Sequence, residues 1–404
     1  MKKSTIITVL AFVLGVVVLG VGFVLLTENN ISGSLFPSGT TNTTTTTTKP
    51  TTTTTTTTGP KQMDMLKADL SEYITLGEYK GIAVNVDEEQ SVYDAVVKKL
   101  EENVSAMLIG DNQFTKIEQG VIEEGMIFCF DFKGLLNGEA FDNGSATNQY
   151  AYIDGNNFYI LAGSTFIDGF AQGIIGKDIG SEFNIDIKFP DDYGNEKLNG
   201  KDTVFEIKIH YAVEVKELTA EYLAGKFGGK FVSVDEYRDS LLQSVMVEVY
   251  FNDIWQVIVD SFEVTKYPEE EYEYVYHAIR SQIEQFAEKA GMTYENYLGS
   301  ETATKDNVPY KNDEEVCTYV KRVVKEELVL YSIIHAEDIK NTEEEYKAFC
   351  KEIAAQYGIP EAYLTYFIDE NTLREELLMN TVIDFIKNNN RININVVPDK
   401  TTTK

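Results

Sequence analysis

Apolar and polar residues alternate along two stretches of this chain, and the alternation predicts two strands of an antiparallel sheet. In residues 182–189 and again in residues 205–211, every second position is apolar and the positions between are mostly charged or polar. This pattern is typical of strands with one buried face and one face in water. The more uniformly apolar segment 126–132 predicts a third strand, and residues 169–175 predict a short helix lying across the sheet. The sequence therefore predicts a small α+β domain with an aromatic-rich buried face.

The pattern changes to a helical period in the second half of the chain. One apolar stripe, at alternating steps of four and three residues, consists of Tyr272, Tyr276, Ile279, Ile283 and Phe286. A stripe with this spacing indicates one face of an amphipathic helix. Such a face usually belongs to a core, and the alternative is a surface that holds unfolded chains. Residues 371–387 predict a last helix, so residues 216–390 are expected to form an all-α domain.

Two short motifs predict where helices begin. Ser233 is followed three residues later by Glu236, and Thr342 is followed three residues later by Glu345. This is the spacing of a capping box, in which each of the two side chains accepts a hydrogen bond from the backbone of the other residue. We therefore expect helices to begin directly after Ser233 and Thr342.

The N-terminus carries an apolar run, residues 6–26, that contains no charged residue. A run of this length can span a bilayer as a helix. A cleaved signal peptide is the alternative, but such peptides have shorter apolar regions that end in a small-residue cleavage motif, which is absent here. We predict an uncleaved transmembrane anchor in residues 1–27. Lys2 and Lys3 place the N-terminus in the cytoplasm and the rest of the chain outside.

The segments that flank the predicted domains are of lower complexity. Residues 28–61 contain unbroken threonine runs at 43–48 and 51–58. Such a segment buries too little apolar area to fold, which predicts a disordered stalk, either O-glycosylated or a plain linker. Residues 62–120 predict a connector made of an extended arm and a helix. Residues 391–404 are predicted to be a disordered tail.

The composition narrows the classes of function. The formal net charge is −30, whereas a nucleic-acid-binding protein requires a basic face, so we expect no nucleic-acid partner. Cys129, Cys317 and Cys350 show no CxxC motif and no metal-ligand spacing, and the three histidines are scattered. We therefore expect no cofactor and no metal, and the sequence gives no support for a hydrolase triad.

The order of several motifs resembles the FKBP-type peptidyl-prolyl isomerase family. The motifs are DF-x-G from residue 131, NGEAFDNGSA from 137, F-x-x-L-A-G from 158, FIDGF from 166 and FPDDYGNEKLNGKD from 189. The last of these has the form seen in the trigger factor family. The segments LTAEYLAGKFG, NTEEEYKAFCKEIAAQYGIP and LREELLMNTVIDFI resemble the C-terminal helical chaperone domain of that family. The resemblance spans residues 71–388, and it implies an isomerase domain in 121–215 and a chaperone domain in 216–390.

The resemblance also implies a catalytic pocket. The residues at the family's pocket positions are Phe132, Phe141, Asp142, Phe158, Phe166, Ile167, Phe170, Tyr193, Leu198 and Phe205. Rotation about an X-Pro bond has a barrier of ~18–20 kcal/mol because the amide loses its conjugation. An apolar pocket that binds the twisted amide better than the planar one lowers this barrier without a nucleophile or metal. The backbone N–H of Ile167 is expected to donate a hydrogen bond to a substrate carbonyl.

Three features depart from the family's pattern. Asp168 stands where trigger factors have proline, the glycine turn at 162–165 is one residue short, and residues 147–157 add length beside the pocket. These departures leave open a domain that binds without catalysing. The expected function is that of a membrane-anchored, extracytoplasmic isomerase and chaperone that acts on X-Pro segments of unfolded or nascent exported polypeptides. A ribosome-binding domain of the trigger factor type is not recognised, so no ribosome binding is expected. The alternatives are a non-catalytic holdase and a stalked surface adhesin that reuses the fold.

Overall fold

The computed structural model describes residues 60–399. The predicted anchor, and the predicted stalk up to residue 59, lie outside the described residues. The chain divides into two compact units, each described here by itself. Within the described residues, the sheet unit consists of Val86–Gln243 with residues 394–399, and the helical unit consists of residues 60–85 with Ser244–Asn393. No helix within 60–399 combines the length and the apolar character needed to cross a bilayer.

Strands and helices are numbered here along the described residues. The strands are β1 (Ile74–Thr75), β2 (Ala83–Glu89), β3 (Phe114–Ile117), β4 (Ile127–Leu136), β5 (Glu139–Asp154), β6 (Asn157–Ile160), β7 (Glu182–Lys188), β8 (Asp202–Val215), β9 (Glu263–Val264) and β10 (Arg391–Val397). The α-helices are α1 (Gln90–Gly110), α2 (Phe170–Ile174), α3 (Ala220–Lys226), α4 (Val234–Val249), α5 (Phe251–Ser261), α6 (Glu269–Lys289), α7 (Tyr294–Tyr297), α8 (Glu301–Lys305), α9 (Asp313–Glu337), α10 (Glu343–Gln356), α11 (Glu361–Phe367) and α12 (Glu370–Asn389).

The sheet unit is built on a six-stranded antiparallel sheet with the order β3-β8-β4-β5-β6, in which β7 also pairs with β8. The alternating residues of β7 and β8 place Ile185, Ile187, Phe205 and Ile207 in the core. The short helix α2 packs against this buried face, because Phe170 and Ile174 belong to the same core. The prediction of an α+β domain with an antiparallel sheet and one short helix is therefore confirmed.

Residues 147–157, which the resemblance marks as extra length, form the second half of β5, the turn after it and the first residue of β6, and Ala151 and Ile153 are fully buried. One segment differs from its prediction. Residues 391–397, predicted as a disordered tail, form β10, which pairs with β2. The tail prediction is wrong there because the alternating isoleucines and asparagines of RININVV suit a strand, with Ile392 fully buried. The Asn393 side chain donates to Asn85 Oδ1 at 3.0 Å.

The helix predicted around residues 272–286 forms as α6, but its buried face is rotated from the predicted stripe. The buried positions repeat every four residues and are Glu271, Val275, Ile279, Ile283 and Ala287. Tyr272, Tyr276 and Phe286 are only partly buried. The core therefore includes a glutamate that the apolar pattern could not indicate.

Glu271 belongs to a buried group of carboxyl side chains in the helical unit. Its side chain is 0% exposed, its Oε2 accepts a hydrogen bond from the Met63 amide at 2.9 Å, and its carboxyl group contacts that of Glu327 on α9. Burial raises the pKa of Glu271 to about 7. Burial, followed by the charges of Glu271 and Glu375, raises the pKa of Glu327 well above its ordinary value. The Tyr331 hydroxyl donates to Glu375 Oε1 at 2.8 Å.

The two predicted helix starts differ in how fully they form. At Thr342 both bonds of the capping box are present, and α10 begins at the next residue. At Ser233 the side chain accepts from the Glu236 amide at 3.0 Å, but the Glu236 carboxylate accepts from the Val232 amide instead of closing on Ser233. The capping box predicted at Thr342 is confirmed. At Ser233 only the hydrogen bond to the serine side chain is confirmed.

Candidate functional site

The predicted site residues come from every part of the sheet unit's core. Phe132 lies on β4, Phe141 and Asp142 on β5, Phe158 on β6, Phe166 and Ile167 in the following loop, Phe170 at the start of α2, Tyr193 and Leu198 in the loop after β7, and Phe205 on β8. All of them except Asp142 and Tyr193 belong to the core or pack against it. The fold therefore gathers residues that are up to 73 positions apart, from Phe132 to Phe205.

Phe170 forms the base of this aromatic group. Its ring is 1% exposed, and its centroid lies 4.8 Å from that of Phe166 and 4.8 Å from that of Phe205, both at steep angles. Phe158, also 1% exposed, packs 5.6 Å from Phe170. Edge-to-face packing of this kind is favourable because ring edges are positive and ring faces negative. Phe158 and Phe170 thus form a rigid floor beneath the more exposed rings.

The rings above the floor are partly open to solvent. Phe132 packs 5.1 Å from Phe166, and Phe141 packs 5.9 Å from Phe205. Tyr193 is 45% exposed, and its ring lies 4.6 Å from that of Phe189. We call these partly exposed rings, together with the buried floor beneath them, the aromatic slot.

Phe189 is a core residue, only 3% exposed, that packs behind two of the predicted site residues. Its ring lies 6.0 Å from Phe141 and 4.6 Å from Tyr193, so it joins the two predicted residues at the open end of the slot. The FP of the FPDDYG motif could have indicated this role, since the motif places an aromatic directly before the loop that carries Tyr193.

Two glycines determine where the Phe141 ring lies. A Cβ atom on Gly134 of β4 would stand 2.5 Å from Phe141 Cζ, and one on Gly144 of β5 would stand 2.4 Å from Phe141 Cε2. Contacts this short do not occur between real side chains, so the ring can lie against the sheet only because both positions lack a side chain. Both glycines lie within the motifs that resemble the isomerase family, at Gly134 of DF-x-G and Gly144 of NGEAFDNGSA.

We expect Gly134→Ala to weaken the site by displacing Phe141. The new methyl group would overlap the Phe141 ring and would also stand 2.8 Å from Phe205 Cε1, so the slot must deform. We predict at least a tenfold lower rate for any reaction at this site, with the unit still folded. Gly110→Ala is the matched control, because its Cβ would meet nothing within 4 Å and its φ is not positive. Equal activities of the two variants would contradict this account.

The Ile167 amide follows a turn that is closed by backbone hydrogen bonds. The turn before it closes through Gly163 N–H to Ile160 O at 2.8 Å and Phe166 N–H to Phe158 O at 2.9 Å, with Ala162 at φ 57°. The short glycine turn therefore still returns the chain to β6. Within residues 60–399 the Ile167 N–H has no backbone or side-chain acceptor. It is thus a free donor at the edge of an aromatic slot.

Asp142 is less closely associated with the site than the aromatic residues. It is exposed and is not part of the aromatic core. Asp168 is also exposed. The next residue, Gly169, has a left-handed φ of 103° and directly precedes helix α2. A slot built from carbon surfaces and one amide donor suits binding of an apolar ring beside a carbonyl.

Two protein-family models match separate parts of the chain. Residues 119–214 match the model for FKBP-type peptidyl-prolyl cis-trans isomerase, and residues 243–388 match the model for the C-terminus of bacterial trigger factor protein. The first range holds every predicted site residue. The roles of those individual residues stay predictions.

Relatives that match most of the chain are trigger factors. The trigger factor of Clostridioides difficile (strain 630) is 27% identical over 336 residues, which cover 80% of this chain and 74% of the relative. That of Clostridium beijerinckii is 28% identical over 333 residues, with 78% and 73% covered. A solved structure from work on "Promiscuous Substrate Recognition in Folding and Assembly Activities of the Trigger Factor Chaperone" is 15% identical, covers 78% of this chain and 72% of its own, and has a TM-score of 0.38.

Proposed function

We propose that this chain, a trigger factor-like peptidyl-prolyl cis-trans isomerase of the FKBP type, works as a membrane-tethered folding factor outside the cytoplasm. Its substrates would be X-Pro segments of unfolded or nascent exported polypeptides. The observation that supports catalysis best is the free Ile167 N–H at the edge of the aromatic slot. A proline ring in the slot would place its preceding carbonyl within reach of that donor. The apolar slot favours the twisted amide because that form is less dipolar than the planar one, and the amide donor would hold the carbonyl in a fixed position.

We expect the helical unit to hold unfolded segments of the substrate. The trigger factor C-terminal match covers residues 243–388. This unit exposes a group of aromatics at α11 and the turn before it, namely Tyr357, Tyr363, Tyr366 and Phe367, each more than half exposed. Exposed apolar patches of this kind are a mark of interaction surfaces. A segment held there would raise the effective concentration of its X-Pro bonds at the slot.

The tether is proposed from residues 6–26, which contain no charge. We expect the full-length chain to sediment with membranes and to resist extraction at high salt and high pH. In intact cells whose outer layers are permeabilised, added protease should cut the folded part. The variant Val16→Arg, Leu19→Arg should leave the membrane fraction, since two charges at the centre of such a run are costly. A soluble wild-type chain, or one that is protected from protease, would contradict the proposal.

A second function, binding without catalysis, is favoured by one observation: Asp168 stands where proline is usual in the trigger factor form of the turn. Refolding of a model protein whose slow phase is limited by proline isomerisation tests both functions. Acceleration by catalytic amounts of the full-length chain supports isomerisation. Suppressed aggregation with an unchanged slow phase supports a holdase, and binding to a single folded partner with neither effect supports the adhesin alternative.

A further inference from the structure

Asp131 lies on the central strand β4, at the point where the pairing of β4 with each of its two neighbouring strands is interrupted by a register shift. In the pairing of β4 with β5, Phe130 is opposite Gln149 and Phe132 is opposite Ala146, so Asp131 faces two residues of β5. This is a β-bulge, which bends a strand and increases its twist.

The other neighbour of β4 has its own bulge at the same level. Cys129 is opposite Tyr211 and Phe130 is opposite Ile209, so His210 of β8 is the extra residue between them. The outer face of the sheet therefore presents Asp131 between one extra residue on β5 and one on β8. Two bulges flanking one residue of a central strand are a defined feature of this sheet and not a local defect.

The Asp131 carboxylate contacts both bulges. Its Oδ1 accepts a hydrogen bond from the Asn148 amide at 2.7 Å, and Asn148 has the left-handed φ of 52° that the bulge requires. The same oxygen lies 2.8 Å from His210 Nε2. That second contact is close but is not a well-directed hydrogen bond, since the ring nitrogen has no partner of good hydrogen-bond geometry among the described residues.

The groups around Asp131 favour the charged form of its carboxyl group. Burial by itself opposes ionisation, but the Asn148 amide, His210 and Lys208 outweigh it and lower the pKa of Asp131. Lys208 is itself paired with Glu182 at 2.6 Å on the same outer face. The carboxylate thus supplies a fixed negative acceptor to a bulge amide that has left the regular ladder of strand hydrogen bonds.

Phe132 is the first residue of β4 beyond both bulges. It is opposite Ala146 and Ile207, its ring stacks 5.6 Å from that of Phe130, and it meets Phe166 edge to face. The bend introduced at residue 131 therefore sets the direction in which Phe132 enters the slot. We propose that Asp131 is a positioning residue for the isomerase pocket, holding the two bulges so that Phe132 lies against Phe166. This inference rests on the proposed role of the pocket.

The test measures isomerisation kcat/KM of the full-length chain on a peptide with a single X-Pro bond, at a temperature where thermal unfolding shows each variant folded. We expect Asp131→Ala to lower kcat/KM at least tenfold. Asp131→Asn keeps an oxygen that can accept from the Asn148 amide, and we expect it to stay within threefold of wild type. Lys133→Ala is the matched control, because Lys133 lies two residues along on the same outer face in an exposed pair with Glu206, and no change is expected.

A double-mutant cycle with Phe132→Leu separates positioning from general stability. If Asp131 acts through Phe132, then adding Asp131→Ala to the Phe132→Leu variant should lower its isomerisation kcat/KM by less than twofold. An equal loss on both backgrounds, or an Asp131→Ala variant within twofold of wild type, overturns the inference. An active wild-type chain that is insensitive to Phe132→Leu overturns it as well, by removing Phe132 from the pocket. If Asp131→Ala does not fold, His210→Ala takes its place in the cycle, with an expected threefold loss that disappears on the Phe132→Leu background.

Discussion

Replacing both Phe141 and Tyr193 by alanine is expected to lower isomerisation kcat/KM by roughly 100-fold or more. The two side chains stand at the open end of the slot, where Phe141 packs on Phe205 and Tyr193 packs on Phe189. Burying one such ring on a substrate stabilises the complex by about 1.5 kcal/mol at the low end. Two rings together give ~3 kcal/mol, which corresponds to about a hundredfold in rate when the contacts are made in the transition state. The measurement is the rate of cis-trans exchange in a single-proline peptide.

The matched control for this variant is Phe114→Ala. Phe114 is a partly buried aromatic of the same unit, but it stacks on Tyr211 at the opposite face of the sheet. It should change stability slightly and leave the isomerisation rate within twofold of wild type. If the double variant keeps full activity while Phe114→Ala loses it, catalysis takes place on the other face and the proposed pocket is wrong.

The second large effect is a loss of stability in the helical unit as pH rises. Glu271 has its pKa raised to about 7 in the folded chain by burial, against an ordinary value of 4.5. Between these two values the folded state keeps a proton that the unfolded state releases. The stabilisation is therefore complete below pH 4.5 and is lost as pH rises through about 7. A pKa difference of this size corresponds to about 3 kcal/mol in the free energy of unfolding. The raised pKa of Glu327 changes the stability in the same direction.

The experiment compares urea unfolding at pH 5 and pH 8. The chain has one tryptophan, Trp255, which is 1% exposed within the helical unit, so its fluorescence reports on that unit. Glu271→Gln cannot ionise, can still accept from the Met63 amide and can donate to Glu327. We expect the variant to be more stable than wild type by about 1–3 kcal/mol at pH 8 and close to wild type at pH 5. Glu288→Gln, an exposed position on the same helix, should change neither value. A wild-type stability that is equal at both pH values would refute this account.

The strands of the sheet unit were predictable because their alternation is local. Ile185, Ile187 and Phe205 each lie two residues from another buried residue of the same strand, so the pattern alone indicates the buried face. The motif order likewise predicted which aromatics meet around Phe170. The role of Gly134 was not predictable, because it depends on a ring from the next strand.

The helical unit was less predictable because its buried face depends on distant partners. On α6 the tyrosines at 272 and 276 suggest the inward face, yet Glu271 is the residue with no exposed surface. Its burial requires the Met63 amide and the Glu327 carboxyl group, neither of which is near it in sequence. The spacing of apolar residues cannot predict the burial of a polar side chain whose hydrogen-bond partners come from distant parts of the sequence.

The helical unit is discontinuous along the chain, since residues 60–85 pack with Ser244–Asn393. A polypeptide is synthesised from its N-terminus, so the Met63 amide is made 208 residues before the Glu271 side chain that accepts its hydrogen bond. Nearly all of the sheet unit, from Val86 to Gln243, is completed in that interval. Domains generally fold in the order in which they are made. The order of synthesis therefore makes the isomerase the first part of this chain able to fold, while the helical unit must wait for its second segment.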